Sequence, residues 1–160
     1  TGDMDLQSIT GKSCSITNNI GSLSLQEVQI REQTDIQQDT GDLELTDCTF
    51  HGSSAISTQI GSMHLSDSEF AATAITSDTG DIRLKDCTFY QVCTIKSDVG
   101  DVKGSLLADV NNTSIAADTD VGSVSIDGKK NGYQVPNALN TITIRVDTGD
   151  IRLTTQQPTA

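Results

Sequence analysis

The sequence predicts an all-β, single-domain fold across residues 1–160: a parallel β-helix, or β-solenoid, of about eight coils of about 20 residues, with three short strands in each. Three observations carry that prediction. Glycines recur in phase at Gly2, Gly21, Gly41, Gly61, Gly80, Gly100, Gly122 and Gly149, at spacings of 19, 20, 20, 19, 20, 22 and 27 residues. The segments after them, such as "GSLSL", "GDLEL" and "GDIRL", alternate apolar and polar residues with the period of a strand that buries one face. The composition also leaves no room for long helices. It holds 13 Gly, three Phe, two Tyr and no Trp, and it is rich in Ile, Val and Thr.

Each coil supplies three inward columns. The first follows the glycine: Met4/Leu6, Leu23/Leu25, Leu43/Leu45, Met63/Leu65, Ile82/Leu84, Val102, Val124/Ile126 and Ile151/Leu153. The second follows a polar dipeptide such as "TD", "SD" or "KD": Ile9, Val28/Ile30, Cys48/Phe50, Ser68/Phe70, Cys87/Phe89, and then Leu107 with Val110. The third is Ile16, Ile36, Ile56, Ile75, Ile95 and Ile115. No single period buries its own apolar face, but stacked periods share one core. Neighbouring coils would sit about 4.8 Å apart, and only the two end coils would present open edges.

The rhythm breaks twice. "GDVKGSLLADV" puts Gly104 where an inward Leu belongs, which predicts a bulge or slipped register. "IDGKKNGYQVPNALN" then inserts a polar loop. Its Asp-Gly and Asn-Gly turn signals and Pro136 predict an excursion over 127–140 that covers the C-terminal end. "NTITIRVDTGDIRL" resumes the pattern, and the tail "TTQQPTA" is expected to fray. The chain opens on "TGDMDL", in mid-repeat. The expectation is a piece of a longer protein, whose N-terminal segment would hold any export signal or anchor.

"DTGD" at 39–42, 78–81 and 147–150 contains the triplet that bears the catalytic carboxylate of aspartic proteases. Such an enzyme needs two of these loops facing across a two-fold, sharing one proton. Here the aspartates hold one phase of a repeat, a phase also filled by Asp98, Asp120, Asn19 and Gln59. The tetrapeptide is therefore read as a corner. Glycine takes a backbone angle closed to other residues, and Asp bonds local amides.

Repeats of this form, most cleanly "SDTGDIRLKDCTF", "DTGDLELTDCTF" and "VDTGDIRL", resemble the bacterial adhesin-like family, a repeat-bearing domain of unknown function in cell-envelope proteins, chiefly Gram-positive ones. The resemblance spans essentially the whole chain. It implies a right-handed β-helical ectodomain, extracellular or at the envelope surface, often behind a membrane segment. It implies an adhesive or sensing role and brings no catalytic motif.

The formal charge of −12 argues against nucleic acid and against direct adsorption to anionic lipid. A membrane would be reached only through an anchor segment. The candidate partner is a surface ligand: protein, glycan or cationic peptide. Two acidic rows flank the corners, and Asp39, Asp42, Asp78, Asp81, Asp98 and Asp101 are the candidate Ca²⁺ ligands. Turn capping explains them without a metal, so no cofactor is required. The excursion offers Lys129, Lys130, Asn131 and Tyr133 as an interaction loop.

Cys48 and Cys87 share a column two coils apart, too far for a disulfide, and Cys14 and Cys93 lie farther apart still; all four read as small buried thiols. A polysaccharide-active β-helix enzyme would need a carboxylate pair such as Glu44 and Asp81, but nothing singles these out, and His51 and His64 sit in no nucleophile motif. An ice-binding face would need a regular Thr array, and only "TITI" at 141–144 resembles one. The reading is a non-catalytic bacterial surface module, with end-to-end stacking of coils into an oligomer as the alternative.

Overall fold

A computed structural model describes residues 1–158. The first half of the chain forms β1 (Met4–Gln7), β2 (Thr10–Ile20), β3 (Leu23–Gln26), β4 (Gln29–Thr40), β5 (Leu43–Thr46), β6 (Thr49–Phe50), β7 (Ser53–Ile60), β8 (Met63–Ser66) and β9 (Glu69–Ala71). The second half forms β10 (Thr73–Thr79), β11 (Ile82–Tyr90), β12 (Val92–Val99), β13 (Val102–Leu107), β14 (Thr113–Val121), β15 (Val124–Ile126), β16 (Gly132–Tyr133), β17 (Asn140–Thr148) and β18 (Ile151–Gln156).

Strands following the phased glycines pair in parallel along one face, and the strands preceding the glycines do the same along another. Along the first face the register is kept through these layers: Leu23 pairs Leu43, Leu43 pairs Met63, and Met63 pairs Ile82. The side chains facing inward form one apolar core. Its centre is a ladder of Phe50, Phe70 and Phe89, with ring centroids 5.6 and 5.2 Å apart.

The expected right-handed β-helix of regular three-strand coils is overturned. Only the third and fourth layers divide into three strands (β5–β6–β7 and β8–β9–β10); β2 and β4 run 11 and 12 residues through a corner, and β11 runs through another. The layers also do not follow chain order. β17 lies between β12 and β14, pairing Ile95 with Ile144 and Ile144 with Ala117. β18 lies between β13 and β15. β16 runs antiparallel to β14, so the 18-stranded sheet is mixed. The physical reason is that strand edges are backbone, which looks alike in every layer. A repeat specifies what a layer contains but not which layer is its neighbour.

Smaller corrections follow from this order. Ile115 does not join the isoleucine column; it pairs Ile142, and Ala117 takes the expected place. Gly104 pairs Leu84 in the regular register, and a shift just after it sets Cys87 opposite Leu106. Leu106 and Ala108 are therefore the buried residues instead of Leu107 and Val110. Ile9 is more than a third exposed. The tail does not fray before Gln156, since Ser105, Leu106 and Leu107 pair Thr154, Thr155 and Gln156; Thr159 and Ala160 lie outside the described residues. The excursion covers an end of the stack, but that end is β14, paired at Ile115 and Ala116, and the C-terminal strand is internal.

Candidate interaction surface

The phased glycines line one edge of the stack. Their φ angles run from 122° to 153°, a region that side chains disfavour. A Cβ on Gly61 would be driven into the Gly41 carbonyl, and one on Gly41 into that of Gly21. At the far end Gly149 sits against Gly100 and Gly122 against Gly149, reproducing the inserted layer. DTGD is a corner because the backbones of adjacent layers come too close there for a side chain.

Against the local capping expected from the sequence, the aspartates after the glycines reach the next layer. Asp3 Oδ1 accepts from the Ser22 amide at 2.8 Å, Asp42 Oδ1 from Ser62 at 2.9 Å and Asp81 Oδ1 from Asp101 at 3.0 Å. Asp101 Oδ1 accepts from the Asp150 amide at 2.7 Å, and Asp150 Oδ1 from Ser123 at 2.8 Å. The Asp150 amide, then Lys103, hold the Asp101 carboxyl below its usual range. The Ser123 hydroxyl and amide do the same for Asp150.

Sequence reasoning missed two rows. Three residues before six of the phased glycines, Gly21, Gly41, Gly61, Gly80, Gly100 and Gly122, lies a polar side chain; before Gly149 the place is taken by the buried Val146. Asn18 Nδ2 donates to the Gly21 carbonyl at 3.1 Å, Gln38 Nε2 to the same carbonyl at 2.5 Å, Ser77 Oγ to Gly80 and Thr119 Oγ1 to Gly149. The signal was legible as a fixed offset of polar residues within an otherwise apolar phase. The second row is the last residue of the polar dipeptide. Glu27, Asp47, Asp67 and Asp86 all hold φ of 50–55°, a left-handed turn that Asp tolerates better than most residues.

Ion pairs divide the acids along the stack. Arg83 pairs Asp81 at 3.3 Å, Lys96 pairs Asp98 at 2.5 Å, Lys103 pairs Asp101, Arg145 reaches Asp120 and Asp147, and Arg152 pairs Asp150 at 2.6 Å. Among the described residues, Asp39, Asp42 and Asp78 have no ion-pair partner. The cause is compositional. Residues 1–82 contain 13 of the 22 carboxylates but only Lys12 and Arg31 of the 10 basic residues, a net −11, which leaves −1 on the remainder. Chain order places that acidity in the first four layers and the opening of the fifth.

Of the six candidate Ca²⁺ ligands, Asp42, Asp81 and Asp101 each commit one oxygen to an amide, and Asp98 is paired with Lys96. Among the described residues, no three His, Cys, Asp or Glu side chains are grouped to hold a metal. Glu44 and Asp81 belong to layers separated by the His64 layer, and Arg83 stands 3.3 Å from His64. In the excursion, Ile126 and Lys129 close a tight turn, and Lys129 Nζ lies 5.3 Å from the centre of the Tyr133 ring. Val110, Asp127, Lys129, Tyr133 and Gln134 line an open cleft of about 390 Å³ there. Lys130 and Asn131 line a separate cleft against Ser123 and Val124. All four cysteines are free; Cys48, Cys87 and Cys93 are buried, and burial pushes the Cys87 thiol up to about 11.

A repeat of layers with a closed apolar core, stacked curved strands and chemistry confined to outward rows defines a scaffold class. The chain belongs to the Toastrack DUF4097 family, whose model matches residues 1–154. Membership makes it an all-β domain of the bacterial cell envelope, surface-associated and adhesin-like. The family's stacked curved sheets replace the expected β-helix. No curated protein and no solved structure gives a match.

Proposed function

We propose that this domain is an interaction module of the bacterial envelope, which engages a positively charged partner through the outer rows of its first four layers. The observation carrying the proposal is the division of charge, −11 on residues 1–82 against −1 on the rest, with Asp39, Asp42 and Asp78 outside every ion pair of the described residues. A field of one sign on one half of a rigid body steers a cationic partner to that half. The excursion with Lys129 and Lys130 sits at the opposite end and keeps the two ends electrostatically distinct. Two copies meeting at their first layers would oppose like charges, which disfavours the oligomer alternative at that end.

The test compares two charge-matched variants on a polylysine surface. Asp35→Asn/Asp39→Asn/Asp78→Asn removes three carboxylates from the acidic half, and Asp98→Asn/Asp118→Asn/Asp120→Asn removes three from the other. Expected is salt-sensitive binding that the first variant weakens by about tenfold more than the second, as for charges at rather than away from a contact. Equal losses overturn the proposal.

A further inference from the structure

The residue just before each phased glycine points outward, and in stacking order the row reads Thr1, Ile20, Thr40, Ile60, Thr79, Val99, Thr148, Val121. The order is read from the register pairs Ile20–Thr40, Thr40–Ile60, Ile60–Thr79, Thr79–Val99, Val99–Thr148 and Thr148–Val121. Threonine and a branched aliphatic residue alternate strictly over all eight positions. In chain order the alternation would fail, since Val121 would follow Val99 directly. It is completed only by the inserted layer. Ile20 and Ile60 are 56% and 57% exposed, and Val99 and Val121 are more than half exposed.

Folding does not require these aliphatic groups. β-branching favours the extended backbone that this position needs, and threonine supplies it in every second layer. The aliphatic residues add water-facing apolar surface at a regular interval, and lone exposed residues would not be so ordered.

Charge alternates with them in the first half of the stack. Ile20 is flanked along the chain by Asn19 and Ser22, and Ile60 by Gln59 and Ser62. Thr40 lies between Asp39 and Asp42, and Thr79 between Asp78 and Asp81. The edge therefore presents an apolar station, an anionic station, an apolar station and an anionic station, one per layer and about 4.8 Å apart. Three of the four carboxylates, Asp39, Asp42 and Asp78, lack an ion-pair partner among the described residues. Farther along, the same rows are neutralised by Lys96, Lys103, Arg145 and Arg152. Among the described residues, the pattern is thus both apolar and uncompensated between Ile20 and Asp78, with Asp81 already paired to Arg83.

We propose that the edge from Ile20 to Asp81 is a docking strip for a cationic helical segment that alternates apolar and basic side chains along one face. An α-helix places residues i, i+3 or i+4, and i+7 on one face, with rises of about 4.5–6 Å and 10.5 Å. A leucine on one station then sets a lysine or arginine near the next pair of carboxylates. Both partner chemistries have a seat: the aliphatic side chains bury against Ile20 and Ile60, and the cations meet Asp39, Asp42 and Asp78, which pair with no base among the described residues. The proposal rests on the acidic-half reading above and adds a pattern to it.

The test uses two labelled 21-residue synthetic peptides of identical composition, built from Lys, Leu and Ala. One alternates Leu and Lys along a single face at three- and four-residue steps; the other puts all Leu on one face and all Lys on the opposite face. Fluorescence anisotropy against the whole domain at low salt is expected to favour the alternating peptide by at least about tenfold, since only it seats both groups together. Ile20→Ser/Ile60→Ser should abolish that preference while keeping salt-sensitive binding. Asp39→Asn/Asp78→Asn should weaken both peptides. The substituted side chains are solvent-facing, and an unchanged urea midpoint verifies each fold. Equal affinity of the wild type for both peptides, or an intact preference in Ile20→Ser/Ile60→Ser, overturns the strip and leaves the acidic-half reading standing. Binding of neither peptide overturns both.

Discussion

Replacing Gly61 by alanine tests whether the corner is a contact between layers or merely a turn. At φ 141° a Cβ is disfavoured on its own account, and here it also points into the Gly41 carbonyl. The backbone conformation costs about 1–3 kcal/mol. Relief of the overlap strains the adjoining ladder, where the Gly61 amide donates to Thr79 at 3.0 Å and the Gly41 amide to Ile60 at 2.9 Å. Each such bond contributes about 1 kcal/mol net, so the loss sums to about 3–5 kcal/mol. Gly128 is the control. Its φ is also positive, at 76°, but nothing lies within 4 Å of a Cβ there, so Gly128→Ala should cost about 1 kcal/mol. With a urea dependence of about 2 kcal/mol per molar, the midpoints fall by about 1.5–2.5 M and about 0.5 M respectively. Equal shifts for the two variants would refute close stacking of glycine backbones as the reason for the repeat.

Phe70→Ala empties the middle of the aromatic ladder, a fully buried site. It should cost about 3–5 kcal/mol in urea unfolding. The Asp101 and Asp150 carboxyls titrate below their ordinary value in the folded state. Their contribution is therefore complete above the unfolded value of about 3.9 and is lost as pH falls through the folded one. Asp101→Asn/Asp150→Asn should flatten the fall in urea midpoint below about pH 4, and an unaltered acid limb would count against these bonds. Cys14 is the only half-buried thiol and the other three are buried, so a thiol reagent at pH 8 should modify at most Cys14 rapidly and the rest only on unfolding. Replacing residues 128–139 with three Gly-Ser residues should lower the urea midpoint by more than about 1 M. The excursion carries the chain from β15 back to β17, whereas in a stack following chain order it would be dispensable.

Much of a single layer was legible. Leu23/Leu25, Leu43/Leu45 and Ile36 are buried as the period-2 pattern requires, because alternation along a strand assigns side chains to faces without reference to anything distant. The acidic rows of the candidate surface were visible too, as were the loop residues Lys129 and Tyr133. What Asp42 and Asp81 bond to was not. Local turn chemistry pointed to their own corner, while the nearest free amides belonged to the next layer. The inward Asn18 and Gln38 were overlooked because polar side chains were assigned outward, although glycine carbonyls inside the corner needed donors.

By itself the sequence determined the repeating frame of each layer: the inward pairs that follow the glycines, such as Leu23/Leu25 and Leu43/Leu45, the glycine corner and the concentration of acid in residues 1–82. Only the tertiary structure decided the order of the last layers, and with it the strict Thr–aliphatic alternation along the glycine edge. That division has one cause. Side-chain alternation is written along the chain, whereas stacking is made by backbone edges that are the same in every layer. The choice among neighbours falls to packing and to connections such as 127–140, which let Ile144 settle between Ile95 and Ala117.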